Sequence, residues 1–174
     1  MLAAEGVTIV FIGPLLPEHI FIGVALIPPV LLKLASTGYR FARYYASDAV
    51  YRARGAPPII LRLTAPFTVV FTAVVLASGV ALLLRGPDTG RLLLIHKVSF
   101  FLWFGAMTIH VLGHVLAVPR LAAADWRRAA PEAAVAGSTA RIVVVAAALA
   151  AGLAIGAASL SLAGPWLGFN GIGG

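Results

Sequence analysis

The chain has 174 residues, 61% of them apolar and only 11% charged, and its mean hydropathy is +1.00. Soluble domains carry roughly 45–50% apolar and about 25% charged residues, and disordered chains combine low hydrophobicity with high net charge, so both classes are excluded and an integral membrane protein remains. Thirteen basic residues against 6 acidic ones sit between apolar blocks, which makes them topology signals rather than a nucleic-acid footprint; with no cysteine, disulfides, thiolate metal sites, cysteine-ligated iron–sulfur clusters and covalently attached haem are excluded as well.

The N-terminus, Met1-Leu2-Ala3-Ala4-Glu5, carries an acid where a secretory signal has a basic flank, so the chain reads as mature from its first residue. Residues 7–16 are apolar but interrupted at Pro14, with Pro17 just beyond, which predicts a short interfacial or re-entrant segment. A membrane-crossing helix needs about 20 apolar residues, and four blocks meet that length, at about 19–35, 66–84, 92–118 and 142–163. The expected fold is an all-α integral membrane protein, a single four-helix transmembrane bundle over residues 1–174. Pro28 and Pro29 predict a kink in the first span.

The basic loop 36–65, with Lys33 just before it, holds Arg40, Arg43, Arg52, Arg54 and Arg62 against Asp48. The third connection holds Arg120, Arg127, Arg128 and Arg141. The positive-inside rule assigns both connections to the cytoplasm and both termini to the outside, in a multi-pass protein of the cell inner (plasma) membrane. Glu5, Glu18, Arg85, Asp88, Arg91 and an uncharged tail then face outward. The Tyr- and Arg-rich segment 38–58 is too polar to span; it reads as an interfacial anchor or as a docking site for a partner or anionic lipid. In the fourth span, Gly152-x-x-x-Gly156 allows close helix approach, either inside the bundle or in a homodimer.

Histidine carries the functional signal, because ionisable groups inside a membrane are costly. His19 lies at the outer start of the first span and His96 about one turn into the third from the same side, so the two reach similar depth and can meet across the bundle. Two imidazoles from different helices at equal depth in an apolar interior meet the requirement of six-coordinate haem b. Gly23, Ser99 and Gly105 are small enough to admit a flat macrocycle, and Arg85, Arg91 and Lys97 stand where its propionates would emerge. His110 follows His96 by 14 residues, about 21 Å along a helix, on the same seam near the other surface.

This pattern, one histidine at the outer end of the first helix and a His-x13-His pair on a later one, resembles the four-helix bacterial cytochrome b subunits of the formate dehydrogenase gamma, thiosulfate reductase and b561 types. The resemblance implies that His19 and His96 ligate an outer haem and that His110 is one ligand of an inner haem. It further implies exchange of electrons between a quinone or other carrier and a periplasmic or membrane oxidoreductase subunit. The chain departs from the family pattern because its second and fourth spans contain no histidine, and Met107 and His114 share a helix with His110. Either the chain carries only the outer haem, or the inner haem is five-coordinate, or a partner or second protomer supplies the missing ligand.

Other readings attach to the same residues. His110-x3-His114 has the spacing of a Zn or Cu pair but lacks the third and fourth protein ligands such sites use. His114 with Tyr39 or Arg120 offers a quinone pocket or proton relay. Trp103 with Phe100, Phe101 and Phe104 reads as bundle packing or as aromatics flanking a haem. No nucleotide-binding, nucleophile-elbow or zinc-protease motif occurs. The rival function class is a haem-free transporter or assembly subunit whose histidines carry protons or pack helices.

Overall fold

The structure, a computed structural model, describes residues 1–46, 48–49, 59–87, 90–115 and 138–168, and the side chains of all of these except 60–61, 113–115 and 138. Arg52, Arg54, Asp88, Arg120, Arg127, Arg128 and the tail from 169 lie outside the described residues. The described elements are helices α1 (Leu2–Val10), α2 (Leu16–Ala25), α3 (Ile27–Tyr45), α4 (Ile59–Arg85), α5 (Gly90–Val115) and α6 (Ser138–Ser159), a 3-10 turn Leu160–Leu162 and a short helix α7 (Gly164–Leu167). Among the described residues, four stretches are long and apolar enough to cross a membrane: Leu16–Tyr45, Arg62–Arg85, Gly90–Leu112 and Thr139–Leu162.

The first span is α2 and α3 joined at Leu26. Pro28 falls within the first turn of α3, where a missing N–H would lack an intrahelical partner in any case. Leu26 keeps right-handed helical angles, φ −73 and ψ −19. Its N–H bonds the Ile22 carbonyl at 2.9 Å and its own carbonyl accepts from Val30 at 3.0 Å, so the chain passes the proline pair without leaving the bundle.

The basic loop expected at 36–65 is helical at both ends, since α3 continues to Tyr45 and α4 begins at Ile59. Ser36, Thr37 and Gly38 are weak helix formers but not stops. Beyond them, Arg40 Nε donates to the Ser36 carbonyl at 3.3 Å, and Phe41 and Tyr45, one turn apart, stack at 4.5 Å. Arg43 pairs with Asp48, and Arg62 donates to the Tyr45 hydroxyl at 2.7 Å, tying the start of α4 to the end of α3. Pro66 lies inside α4 rather than at its start, a position that membrane helices tolerate when neighbours satisfy the freed carbonyl.

Packing places the spans in the order fourth, first, second, third: α6 lies on α2 and α3, α2 touches α4, and α4 pairs closely with α5. The α4–α5 turn begins at Gly86, whose φ of +81 is left-handed and suits a residue without Cβ. Its N–H caps the Leu82 carbonyl at 2.9 Å. On the other side of the bundle, a Cβ at Gly152 would drive into the carbonyl oxygen of Ala25, and one at Gly156 would come within 2.8 Å of the Phe21 carbonyl. The Ala25 carbonyl would ordinarily accept from residue 29, but Pro29 has no N–H. Gly152-x-x-x-Gly156 therefore serves packing within the chain, with backbone against backbone.

A small core forms at one end, where Leu16, Leu82 and Trp166 are buried together against Ile12, Ile20, Leu92 and Leu93. α1 folds back along α2 at this end, and α7 carries Trp166 into it. Large apolar side chains are exposed on the outward faces of the helices, with Ile142 69% and Val143 60% exposed.

Candidate functional site

His19 lies in the first turns of α2, and α1 returns to meet it. Its Nδ1 stands 2.9 Å from Oε1 of Glu5 and 3.1 Å from Oγ1 of Thr8. Thr8, which is buried, donates its own proton to the Glu5 carbonyl at 2.7 Å, leaving its oxygen as an acceptor for the imidazole. A carboxylate oxygen accepts from Nδ1, so Nδ1 carries a ring proton and Nε2 is the nitrogen left for a further ligand.

His96, on α5, is held by α4 in the same sense. Its Nδ1 is 3.1 Å from the Val75 carbonyl and 3.0 Å from the Ser78 hydroxyl. The carbonyl can only accept, which again assigns a proton to Nδ1 and leaves Nε2 for a further ligand. Gly79 provides the space, because a Cβ there would sit 3.1 Å from Cε1 of His96. Ser99, buried, bonds the His96 carbonyl at 3.0 Å.

The two imidazoles come together across the bundle, with ring centres 6.3 Å apart and planes inclined at 78°. Both line a cavity of about 460 Å³, within the range of roughly 300–1,000 Å³ typical of cofactor sites. Its walls are almost wholly apolar, from α1, α2, α3, α4 and α5, with Trp166 of α7 among them. Trp103 lines it too and donates its indole N–H to Thr72 Oγ1 of α4 at 2.9 Å. Phe100 and Phe101 share this wall, while Phe104 stacks against Phe100 at 6.0 Å.

The other predicted residues are distributed unequally. Gly23 lines the cavity, and its missing Cβ makes room for Glu5: a Cβ would lie 3.3 Å from Oε1. Lys97 reaches the cavity wall. Arg85 and Arg91 are exposed on either side of the α4–α5 turn. His110 and Met107 are half-buried further along α5, and Gly105 is exposed there with open space about it. The side chain of His114 lies outside the described residues, as does Arg120; Tyr39 is exposed on α3.

Glu5, Thr8, Val75, Ser78 and Gly79 were not legible as site residues. Glu5 reads as a surface charge until α1 is seen to fold back. Ser78-Gly79 is the one small polar pair within an otherwise Val-, Leu- and Ala-rich stretch of the second span, and it was the available signal.

Chemically, the site offers two imidazoles, each anchored through Nδ1, with Nε2 the remaining nitrogen for a metal. Among the described residues no group of three or more His, Cys, Asp or Glu side chains is assembled, so a tetrahedral zinc-type centre is not formed there. Two such nitrogens would suffice for a metal whose remaining positions are filled by its own macrocycle. Comparison with known proteins finds no matching family, no matching curated protein and no matching solved structure.

Proposed function

We propose that this protein is a membrane electron-transfer subunit that holds one haem b between His19 and His96. The observation that carries the reading is the separation of the two rings. Opposed imidazoles on one iron have centres about 6.2 Å apart, twice the sum of a metal–nitrogen bond of about 2.0 Å and roughly 1.1 Å from nitrogen to ring centre; His19 and His96 stand at 6.3 Å. The anchored Nδ1–H groups and the apolar cavity support it further.

The bound haem supplies one-electron exchange between ferric and ferrous iron. The chain's own part is to orient the ligands, exclude water with the aromatic and aliphatic wall, and present Lys97 to the propionates. By the distribution of arginines, the haem lies toward the outer face of a plasma membrane, with both termini outside. A quinone pool or other carrier and a periplasmic or membrane oxidoreductase subunit are the redox partners this reading calls for. His110 is a ligand for a second, inner haem only if a further ligand is supplied from elsewhere.

The test is a dithionite-reduced-minus-oxidised spectrum of detergent-purified protein with pyridine-haemochrome quantification. One haem b per chain is expected. A colourless protein after expression with ample haem overturns the reading in favour of a haem-free carrier in which the Glu5–His19 pair handles protons.

A further inference from the structure

The two proposed ligands are anchored by chemically unequal partners. The acceptors for His96 are neutral, a backbone carbonyl and a hydroxyl. Those for His19 include the carboxylate of Glu5, 2.9 Å from Nδ1, in a pair whose side chains are only 20% and 15% exposed. The second carboxylate oxygen, Oε2, is buried and makes no hydrogen bond among the described residues. The described ion pairs of Glu5 consist of this one contact, so among the described residues no Lys or Arg pairs with the carboxylate, and its one engaged oxygen is directed at the imidazole. The arrangement is built rather than incidental: α1 folds back to deliver Glu5, Thr8 shares the same Nδ1, and Gly23 leaves the space that Oε1 fills.

We propose that Glu5 is a positioning residue that gives His19 partial imidazolate character, so that one axial ligand is a stronger electron donor than the other and the oxidised iron is favoured. This rests on the haem reading above. A carboxylate on the far nitrogen of a metal-bound imidazole fixes its tautomer and raises its basicity. In a poorly screened cavity the negative charge offsets the net positive charge of the ferric state. Removing the charge therefore raises the midpoint potential, whereas removing a neutral acceptor at the same nitrogen does so far less.

The experiment compares the haem-loaded wild type with Glu5→Gln, Glu5→Asp and Thr8→Val in detergent, by haem content, equilibrium redox titration and low-temperature EPR. Glu5→Gln is expected to keep its haem, with the equilibrium moved on the order of tenfold toward the reduced form, about 59 mV for a one-electron couple, and with shifted ferric g-values. Thr8→Val and Glu5→Asp are expected to stay closer to wild type. Equal potentials in wild type and Glu5→Gln, or equal shifts in Glu5→Gln and Thr8→Val, overturn the proposal while leaving the haem reading intact. If Glu5→Gln loses haem, Glu5→Asp decides: recovery of haem near the wild-type potential supports a role for the carboxylate, and loss there overturns it. A wild type that binds no haem overturns the underlying reading, and this one with it.

Discussion

His19 and His96 belong to different spans, are separated by 76 positions of sequence, and stand with ring centres 6.3 Å apart. If one iron lies between them, each is indispensable. His19→Ala and His96→Ala are expected to bring the reduced-minus-oxidised α-band to background, while His110→Ala, at a residue outside the cavity wall, leaves this haem in place. Absorption spectra of the three purified variants at equal protein concentration check this, and a full band in His96→Ala is the result that sinks the assignment.

The 78° between the two ring planes has a spectroscopic consequence. Near-perpendicular axial imidazoles leave the two iron orbitals of π symmetry close in energy, whereas parallel planes split them. The ferric protein is therefore expected to give a strongly anisotropic low-spin EPR signal dominated by one large g-value. A well-resolved rhombic spectrum would mean that the rings rotate toward parallel in the loaded protein.

Gly79 and Ser78 both serve His96, but by different means. A side chain at Gly79 collides with the ring, so Gly79→Val is expected to weaken haem retention by roughly 10–100-fold, the usual cost of disturbing a ligand's support. Ser78→Ala removes one of two acceptors and leaves the Val75 carbonyl in place, so its cost is expected near 1 kcal/mol. Haem transfer to apomyoglobin ranks the two variants.

Gly152 touches nothing in the cavity yet decides how α6 meets α2. Gly152→Leu forces the helices apart at the Ala25 carbonyl and is expected to cost at least about 1–3 kcal/mol, as overpacking does. Gly105→Ala, with nothing within 4 Å of the added carbon, is expected to stabilise α5 by roughly 0.5–1 kcal/mol. Thermal unfolding in detergent distinguishes them, with the Tm lowered in the first variant and raised or unchanged in the second.

Much of this was legible residue by residue. The length of each apolar block predicts a spanning helix because burial in lipid and backbone hydrogen bonding both act over one contiguous segment. Equal depth for His19 and His96 follows from counting residues along helices that run in the same direction. The helices continue past the apolar blocks at 36–45 and 59–65 because polarity marks where the apolar stretch stops, whereas the helix itself ends only where its hydrogen bonds and side-chain contacts stop, here beyond Tyr45.

By itself, then, the order of residues determined the helices, the apolar spans and the presence of two histidines at one depth, all of which depend on local periodicity and length. It left open what each imidazole leans on. The return of α1 to bring Glu5 to His19, the pairing of α4 with α5 that sets Val75 and Ser78 under His96, and the seating of Gly152 on Ala25 were decided by tertiary structure. Each is a contact between segments distant in sequence, and such contacts depend on how whole surfaces fit rather than on the residues adjoining in the chain.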